Sequence, residues 1–400
     1  MSIKLRVLLV HNFYRQTGGE DVVFNAEKAL LQDRGDTVIE YIRNNNEIHG
    51  TGKKIASAAT ALWSQETYLS LKDIIRATQP DVAHFHNTFL LISPSAYFAC
   101  QHAGVPVVQT LHNFRLICPG ALLLRDGKIC EDCLGSKLPW RGAWHACWRD
   151  SRSQSAIVVA MLGFHNTIGT WQGKVDRYIA LNEFSRQKFI AGGLPAEKIV
   201  VKPNFIPMPV RNNQSKGSYA LFVGRLSREK GLDILLEAWQ TLPEIPLKIV
   251  GDGPLHKFAK AILDDRKASQ IQMTGNLASE AVFVAIQNAK FIVMPSRCYE
   301  NFPMVILEAF SNGIPVIVPN EGSLASLVEN GRTGLHFCIG DARDLAEKVS
   351  WAWGHPKEME RMGQAAFEEY LQKYTPEKNY QLLIDIYQQA ISASHKVGNE

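Results

Sequence analysis

Short apolar runs alternate with longer segments of helical period along most of this chain, and that alternation restricts its fold more than any other feature. The runs Leu5–Val10, "VIEYI", "DVAHF" and "PVVQTL" follow one another, the first leading into a helical stretch near Asp21 to Arg34. A second series holds "YALFVG" (Tyr219–Gly224), "LKIVGDG" (Leu247–Gly253), "IQMTGN", "FIVMPS" (Phe291–Ser296) and "PVIVPN" (Pro315–Asn320), again with helical segments between. Strand, helix and strand in this rhythm build parallel sheets covered by helices. Between the series lies "VKPNFIPMPVRNNQSKGS", Val201–Ser218, rich in Pro, Asn, Ser and Lys and short of periodic apolar residues, which reads as a linker.

The 400 residues exceed what one ordinary core supports. The expectation is therefore an α/β chain of two Rossmann-like, doubly wound domains, residues 1–205 and 206–375, with ligands beyond the carboxyl ends of the strands in an interdomain cleft. Residues 376–400 read as an amphipathic helix from Pro376, offering Tyr380, Leu383, Ile384, Ile386 and Tyr387 for burial. The pattern leaves open whether this helix packs on the second domain or returns to the first.

A formal net charge of +4 argues against a nucleic-acid partner and suits an anionic substrate or a peripheral membrane contact. The opening "MSIKLRVLLVHNF" reads as a buried strand, because no small-residue cleavage site follows its apolar run. The run "AIVVAMLGF", Ala156–Phe164, is about half of the roughly 20 residues a membrane span needs. A cytoplasmic protein, with possible peripheral contact at the inner face of the membrane, is expected.

Three segments carry chemistry. In "CYENFPMVILEAF", Glu300 and Glu308 are separated by seven residues, and Pro303 suits the first turn of a helix over Met304–Phe310. Such a helix offers free N–H groups to an anion. A carboxylate at Glu308 can accept hydrogen bonds from both hydroxyls of a vicinal diol, while Glu300 can meet a second hydroxylated ring. Read alone, Glu308 is as easily an ordinary solvent-facing charge. The loop "GRLSREKG", Gly224–Gly231, supplies Arg225 and Lys230 at a strand's carboxyl end, one as a planar fork and the other as a point charge for a diphosphate. In "HNFYRQTGGEDV", Gly18 and Gly19 precede a helix and can bring backbone amides to an anion, or form only a tight turn. "GDGP", Gly251–Pro254, reads as structural.

Taken together these segments resemble the retaining glycosyltransferases of family 4, which have the GT-B fold and use nucleotide-sugar donors. The glycine turn, "GRLSREKG", "VGDGPL", "PSRCYENFPMVILEAFSNGIPVI" and "ENGRTGLHF" stand in the family's order over nearly the whole chain. The resemblance implies that Glu308 binds the donor's ribose and that Arg225 and Lys230 hold the diphosphate. It implies that Glu300 faces the transferred sugar beside the backbone of Asn301, Phe302 and Pro303, and that Gly18 and Gly19 leave room for the donor. His112 in "TLHNF" matches the family's histidine at the donor sugar, and Gly275 and Asn276 match positions near the base. The implied function is metal-independent transfer of a hexose, with retention, from a UDP-sugar to a glycan or lipid-linked acceptor in polysaccharide synthesis. A GT-B UDP-sugar epimerase is the near alternative. A dinucleotide-dependent dehydrogenase is more distant, since strand one lacks Gly-x-Gly-x-x-Gly.

The segment 118–152 reads as an insertion in the first domain. Seven cysteines in a cytosolic chain argue against a disulfide framework. Cys118, Cys130, Cys133 and Cys147, with His145 as a substitute, are candidates for a structural zinc, against the simpler reading of plain thiols. Trp140, Trp144 and Trp148 recur at helical spacing beside Arg141, His145 and Arg149. They form either an interfacial stripe or buried packing.

Overall fold

The computed structural model describes residues 4–14, 18–47, 59–208, 217–266 and 269–397; residues 15–17 of the glycine turn and 209–216 of the linker lie outside the described residues. The chain divides into two compact units. One comprises Met1–Leu122, Glu131–Asn204 and Pro376–Glu400, the other Leu123–Cys130 and Phe205–Thr375.

The strands β1 (Arg6–Phe13), β2 (Thr37–Asn44), β3 (Val82–Asn87) and β4 (Val107–Thr110) open the first unit. The hairpin of β5 (Leu124–Arg125) and β6 (Lys128–Ile129) clusters with the second unit, so the cysteine-rich segment expected as one insertion is divided. With β7 (Arg177–Ala180) and β8 (Ile199–Val201) the first unit completes a six-stranded sheet in the order β2-β1-β3-β4-β7-β8, every pair parallel. Val7, Leu8, Leu9 and Val10 of β1 are wholly buried, as a strand covered on both faces requires.

Helix Pro376–Val397 belongs to this first unit, which answers the question its sequence left open. Leu383, Ile384, Ile386, Tyr387 and Ala390 enter one core with Leu5, Val7, Leu9, Phe24 and Ile179. Burying each large apolar side chain contributes about 1.5–3 kcal/mol. Polar ties fix its register: the Tyr387 hydroxyl lies 2.8 Å from His84 Nδ1, Tyr380 donates to Asp36 at 2.8 Å, and Asn379 Nδ2 donates to the Pro203 carbonyl at 2.8 Å.

The second unit holds β9 (Tyr219–Val223), β10 (Leu247–Val250), β11 (Ile271–Gly275), β12 (Ala289–Val293), β13 (Val316–Pro319) and β14 (Gly334–Phe337). They form a parallel sheet in the order β11-β10-β9-β12-β13-β14. Phe222, Leu235, Trp239, Ile249, Phe291 and Val349 are among its buried core residues. In each sheet the strand order reverses once, between β1 and β3 and between β9 and β12. At such a switch point the loops leaving the carboxyl ends diverge and leave a crevice.

Candidate functional site

In the second unit, the loops after β9 and β12 meet at the switch point. Gly231 has φ +70°, and a Cβ there would fall 1.8 Å from the Pro295 carbonyl oxygen, so only glycine permits the approach. Arg297 N donates to the Glu229 carbonyl at 2.9 Å, which stitches the loops further. Gly251, with φ +135°, is held equally close, its Cβ position being 2.0 Å from the Gly224 carbonyl oxygen. That contact accounts for "GDGP" as a structural turn.

The two cations of the β9 loop are placed differently. Lys230 Nζ is 2.6 Å from Glu300 Oε1, which also accepts from Ser296 Oγ at 2.7 Å. Burial alone would lower the Lys230 pKa, but the attraction of Glu300 outweighs it and holds the ammonium above its ordinary value. Ser323 Oγ donates to the Glu300 carbonyl, so both ends of that residue are anchored. Arg225 is exposed and has no carboxylate partner among the described residues. Its charge is available to an anion.

Pro303 caps helix Met304–Ser311, and Glu308 stands one turn into it. Only main-chain atoms of Glu308 are occupied, its carbonyl accepting from Asn312 Nδ2 at 2.8 Å and Ser311 Oγ at 3.0 Å. Its carboxylate has no hydrogen-bond or ion-pair partner among the described residues, and burial pushes its pKa up. Asn301 and Phe302 are buried, the Phe302 ring lying edge-on to Tyr374 at 6.0 Å. Gly275 ends β11 with φ +71° and its carbonyl accepts from Gly251 N at 2.9 Å; Asn276 beside it is exposed. Arg225, Lys230, Gly275, Asn276 and the segment Glu300–Glu308 thus all follow carboxyl ends of one parallel sheet.

In the first unit, Gly18 N donates to Asp21 Oδ2 at 2.8 Å, and Gly19 opens the helix Gly19–Asp33. Among the described residues a Cβ on Gly18 would meet nothing within 4 Å. Asp21 is also bound to His11 Nε2 at 2.7 Å. His112, just beyond β4, stacks on His86 with 5.2 Å between centroids, and its Nε2 lies 3.0 Å from His86 Nδ1. Burial, then the charges of His11 and Lys202, lowers the His112 pKa to about 3, so the ring is neutral at physiological pH. Beneath it His86, His84 and Glu27 form a wholly buried cluster, closed by Lys202 Nζ at 2.5 Å from Glu27 Oε1. That ammonium takes Glu27 Oε1, and His84 bonds Tyr387 and Thr110 at 2.8 Å, whereas Glu27 Oε2 and His86 Nε2, 3.5 Å apart, have no hydrogen-bond partner among the described residues.

Sequence reading passed over Glu20. Burial first, and then Asp21, raises its pKa from 4.5 to about 8, against the opposing hydrogen bond from Asn113 Nδ2 at 3.1 Å. Its Oε1 is sealed from solvent with no partner among the described residues. Its place directly after the double glycine was the available signal; its desolvation is a property of the folded unit alone.

The tryptophan spacing does not extend into a single helix. Helix Arg141–Trp144 is one turn, and Ala146, Arg149 and Asp150 take positive φ, which ends it. Trp148 turns inward, edge-on to Phe89 at 5.2 Å, while Trp140 and Trp144 are exposed. Gly120 lies against Cys118 and Cys147, its Cβ position being 3.8 Å from Cys118 Sγ and 3.5 Å from Cys147 Cβ. Cys133 Sγ lies 3.8 Å from the Pro139 carbonyl oxygen, and Cys130 ends the hairpin grouped with the second unit.

Two family models together account for residues 18 to 369, the one described as Glycosyltransferase Family 4 over residues 18–208 and the one described as Glycosyl transferases group 1 over residues 208–369. The chain belongs to the family-4 type of GT-B glycosyltransferases. Among its relatives in this family is an uncharacterized glycosyltransferase of Methanocaldococcus jannaschii, 27% identical over 51% of this chain and 56% of the relative. A glycogen synthase of Mycobacterium tuberculosis is 27% identical over 73% of this chain and 64% of the relative. The chain thus spans less than two thirds of these relatives' own lengths. The fold of HepE from Anabaena, solved in complex with UDP, matches with a TM-score of 0.68 at 16% identity, over 96% of this chain and 100% of that one. These matches give no support to the dinucleotide-dependent dehydrogenase. Among the described residues of this glycosyltransferase no helix is long and apolar enough to cross a membrane.

Proposed function

We propose that the chain transfers a hexose from a nucleoside diphosphate sugar, with UDP as the favoured nucleotide, to a glycan or lipid-linked acceptor. The observation that carries this reading is the pairing, on one sheet edge, of a desolvated carboxylate without a protein partner, Glu308, and an exposed guanidinium without a carboxylate, Arg225. A half-buried carboxylate without donors costs free energy unless a ligand supplies them, and a ribose diol supplies two. Arg225 then takes a diphosphate oxygen pair. The fold neighbour from Anabaena, solved with UDP and with UDP-glucose, supports the choice of donor.

Chemistry follows from charge. As the bond from the sugar's anomeric carbon to the diphosphate breaks, negative charge grows on the leaving oxygen, where Arg225, Lys230 and the amides at the start of helix Met304–Ser311 stabilise it. The acceptor oxygen bonds to that carbon on the face the diphosphate leaves, and its proton passes to the departing phosphate. Configuration is thereby retained, and the fixed cations serve where a divalent metal would otherwise neutralise the diphosphate. Glu300 and neutral His112 are assigned to hydroxyls of the transferred sugar, and Gly18 and Gly19 to the space a donor needs. A structural zinc on Cys118, Cys130, Cys133 and Cys147 is proposed from the sequence alone, since among the described residues the group placed to hold a metal is Glu27, His84 and His86 and includes no cysteine.

Calorimetric titration with UDP, GDP and NAD, repeated with EDTA, tests the donor. Binding of UDP unaffected by EDTA is expected; binding of NAD alone overturns the reading. Proton NMR of the glycoside formed reads the anomeric configuration, and consumption of the UDP-sugar without acceptor would assign an epimerase instead.

A further inference from the structure

The tryptophan turn of the first unit holds none of the residues assigned to the donor. Leu138, Trp140 and Trp144 are 53%, 56% and 64% exposed, although side chains of this kind are usually covered. Trp144 N donates to the Trp140 carbonyl at 3.1 Å, so the two indoles stand one turn apart on the same side. Leu138 is fixed beside them, its carbonyl accepting from Trp140 N at 2.8 Å. The loop rests on helix Arg152–Thr167, where a Cβ on Gly163 would fall 2.5 Å from Leu138 Cδ1. The exposed rings are therefore held in place.

Two cations lie against the exposed rings, and a third lies against Trp148, the ring that turns inward. The guanidinium of Arg141 lies 5.8 Å from the Trp140 ring centroid, that of Arg152 5.6 Å from Trp144, and that of Arg149 4.7 Å from Trp148. Residues 137 to 152 carry Lys137, Arg141, Arg149 and Arg152 against the single carboxylate Asp150. All four cations are exposed, and none has an ion-pair partner among the described residues.

We propose that this face docks on an anionic lipid bilayer. Indole rings settle at the headgroup boundary with their N–H groups wet, and guanidinium forks match lipid phosphates. Charge complementarity selects this occupant: an apolar patch on another protein would satisfy the rings and leave the four cations unanswered, whereas an anionic headgroup layer satisfies both. Docking is independent of donor chemistry, so the two readings can fail separately.

Co-sedimentation of the full chain with phosphatidylcholine vesicles, with and without phosphatidylglycerol, at low and high salt is the test. Binding to the anionic vesicles that weakens with salt is expected. Replacing Trp140 and Trp144 together by alanine should lower the partition at least ~10-fold, and Arg141→Gln with Arg149→Gln and Arg152→Gln should remove the preference for anionic vesicles. These positions are exposed, and an unchanged melting temperature certifies each variant. Wild-type protein that stays in the supernatant with anionic vesicles overturns the proposal. Equal binding by the tryptophan variant also overturns it, as does lipid-free self-association that this variant abolishes.

Discussion

Lys230 and Glu300, 70 residues apart in sequence, hold each other at 2.6 Å where the loops after β9 and β12 converge. The lysine assigned to the diphosphate is therefore partly neutralised before any ligand arrives. Glu300→Gln leaves that ammonium without its partner. UDP affinity should rise by roughly two- to fivefold, while sugar transfer falls on the order of 10²-fold because the carboxylate facing the sugar is gone. Titration of UDP beside steady-state rates separates the two effects; parallel losses in both would show that Glu300 only supports the loop.

Arg225 should matter more for UDP than Glu308. Arg225→Ala deletes charge-assisted bonds of about 1.5–3 kcal/mol each, or roughly 10- to 100-fold in affinity. Glu308→Ala removes bonds to the ribose but also relieves a desolvated carboxylate, so a loss nearer ~10-fold is expected. Dideoxy-UDP, lacking both ribose hydroxyls, should bind the Glu308 variant and the wild type alike. A persisting difference would place Glu308 away from the ribose.

Glu20 should make the first unit lose stability as pH rises from the acid range through neutrality. Its carboxyl is raised from 4.5 to about 8, so the folded state keeps a proton that the unfolded chain releases across that window. Stability then falls as pH rises from 4.5 towards 8, by about 1.4 kcal/mol per pH unit in mid-window. Glu20→Gln removes this slope. Denaturant melts of both proteins at pH 5, 6, 7 and 8 should show the glutamine form gaining relative to wild type at each step; parallel curves would refute the assignment.

The histidines act with the opposite sign. His84, His86 and His112 are all held below 6.5, chiefly by burial. The unfolded chain takes up protons below that value while the folded unit does not, so acid destabilises it as pH falls from 6.5 towards 3. His112→Asn should flatten this acid limb, and an unchanged limb would mean that the ring is not held neutral.

For the cysteine segment, elemental analysis of protein purified without a histidine tag should find zinc near one equivalent, lost on Cys118→Ser. A metal-free preparation of full stability would leave the thiols as plain packing residues.

How much of this was legible beforehand follows the range of each interaction. Period and punctuation located the strands and placed Pro303 at the head of its helix, because those signals are local. The loop "GRLSREKG" showed two cations but not that Glu300 holds one of them, since that pairing exists only after β9 and β12 become neighbours. Likewise the apolar face of residues 376–397 showed that the helix would be covered, and nothing in its period named Leu5 or His84 as the cover. The tryptophan spacing misled beyond Trp144 because positive φ at Ala146 and Arg149 breaks the turn, a conformation that side-chain type does not announce.

Helix Pro376–Val397 carries a consequence for synthesis. The first unit begins at the start of the chain yet draws part of its core from residues made after the whole second unit. On the ribosome, β1 to β8 must wait with the surface meant for Leu383 and Tyr387 uncovered, while β9 to β14 have every partner they need. The unit translated earlier of the two is thus completed after the later one, and a message broken before residue 376 would leave the second unit tethered to an unfinished first one, open to proteases and chaperones.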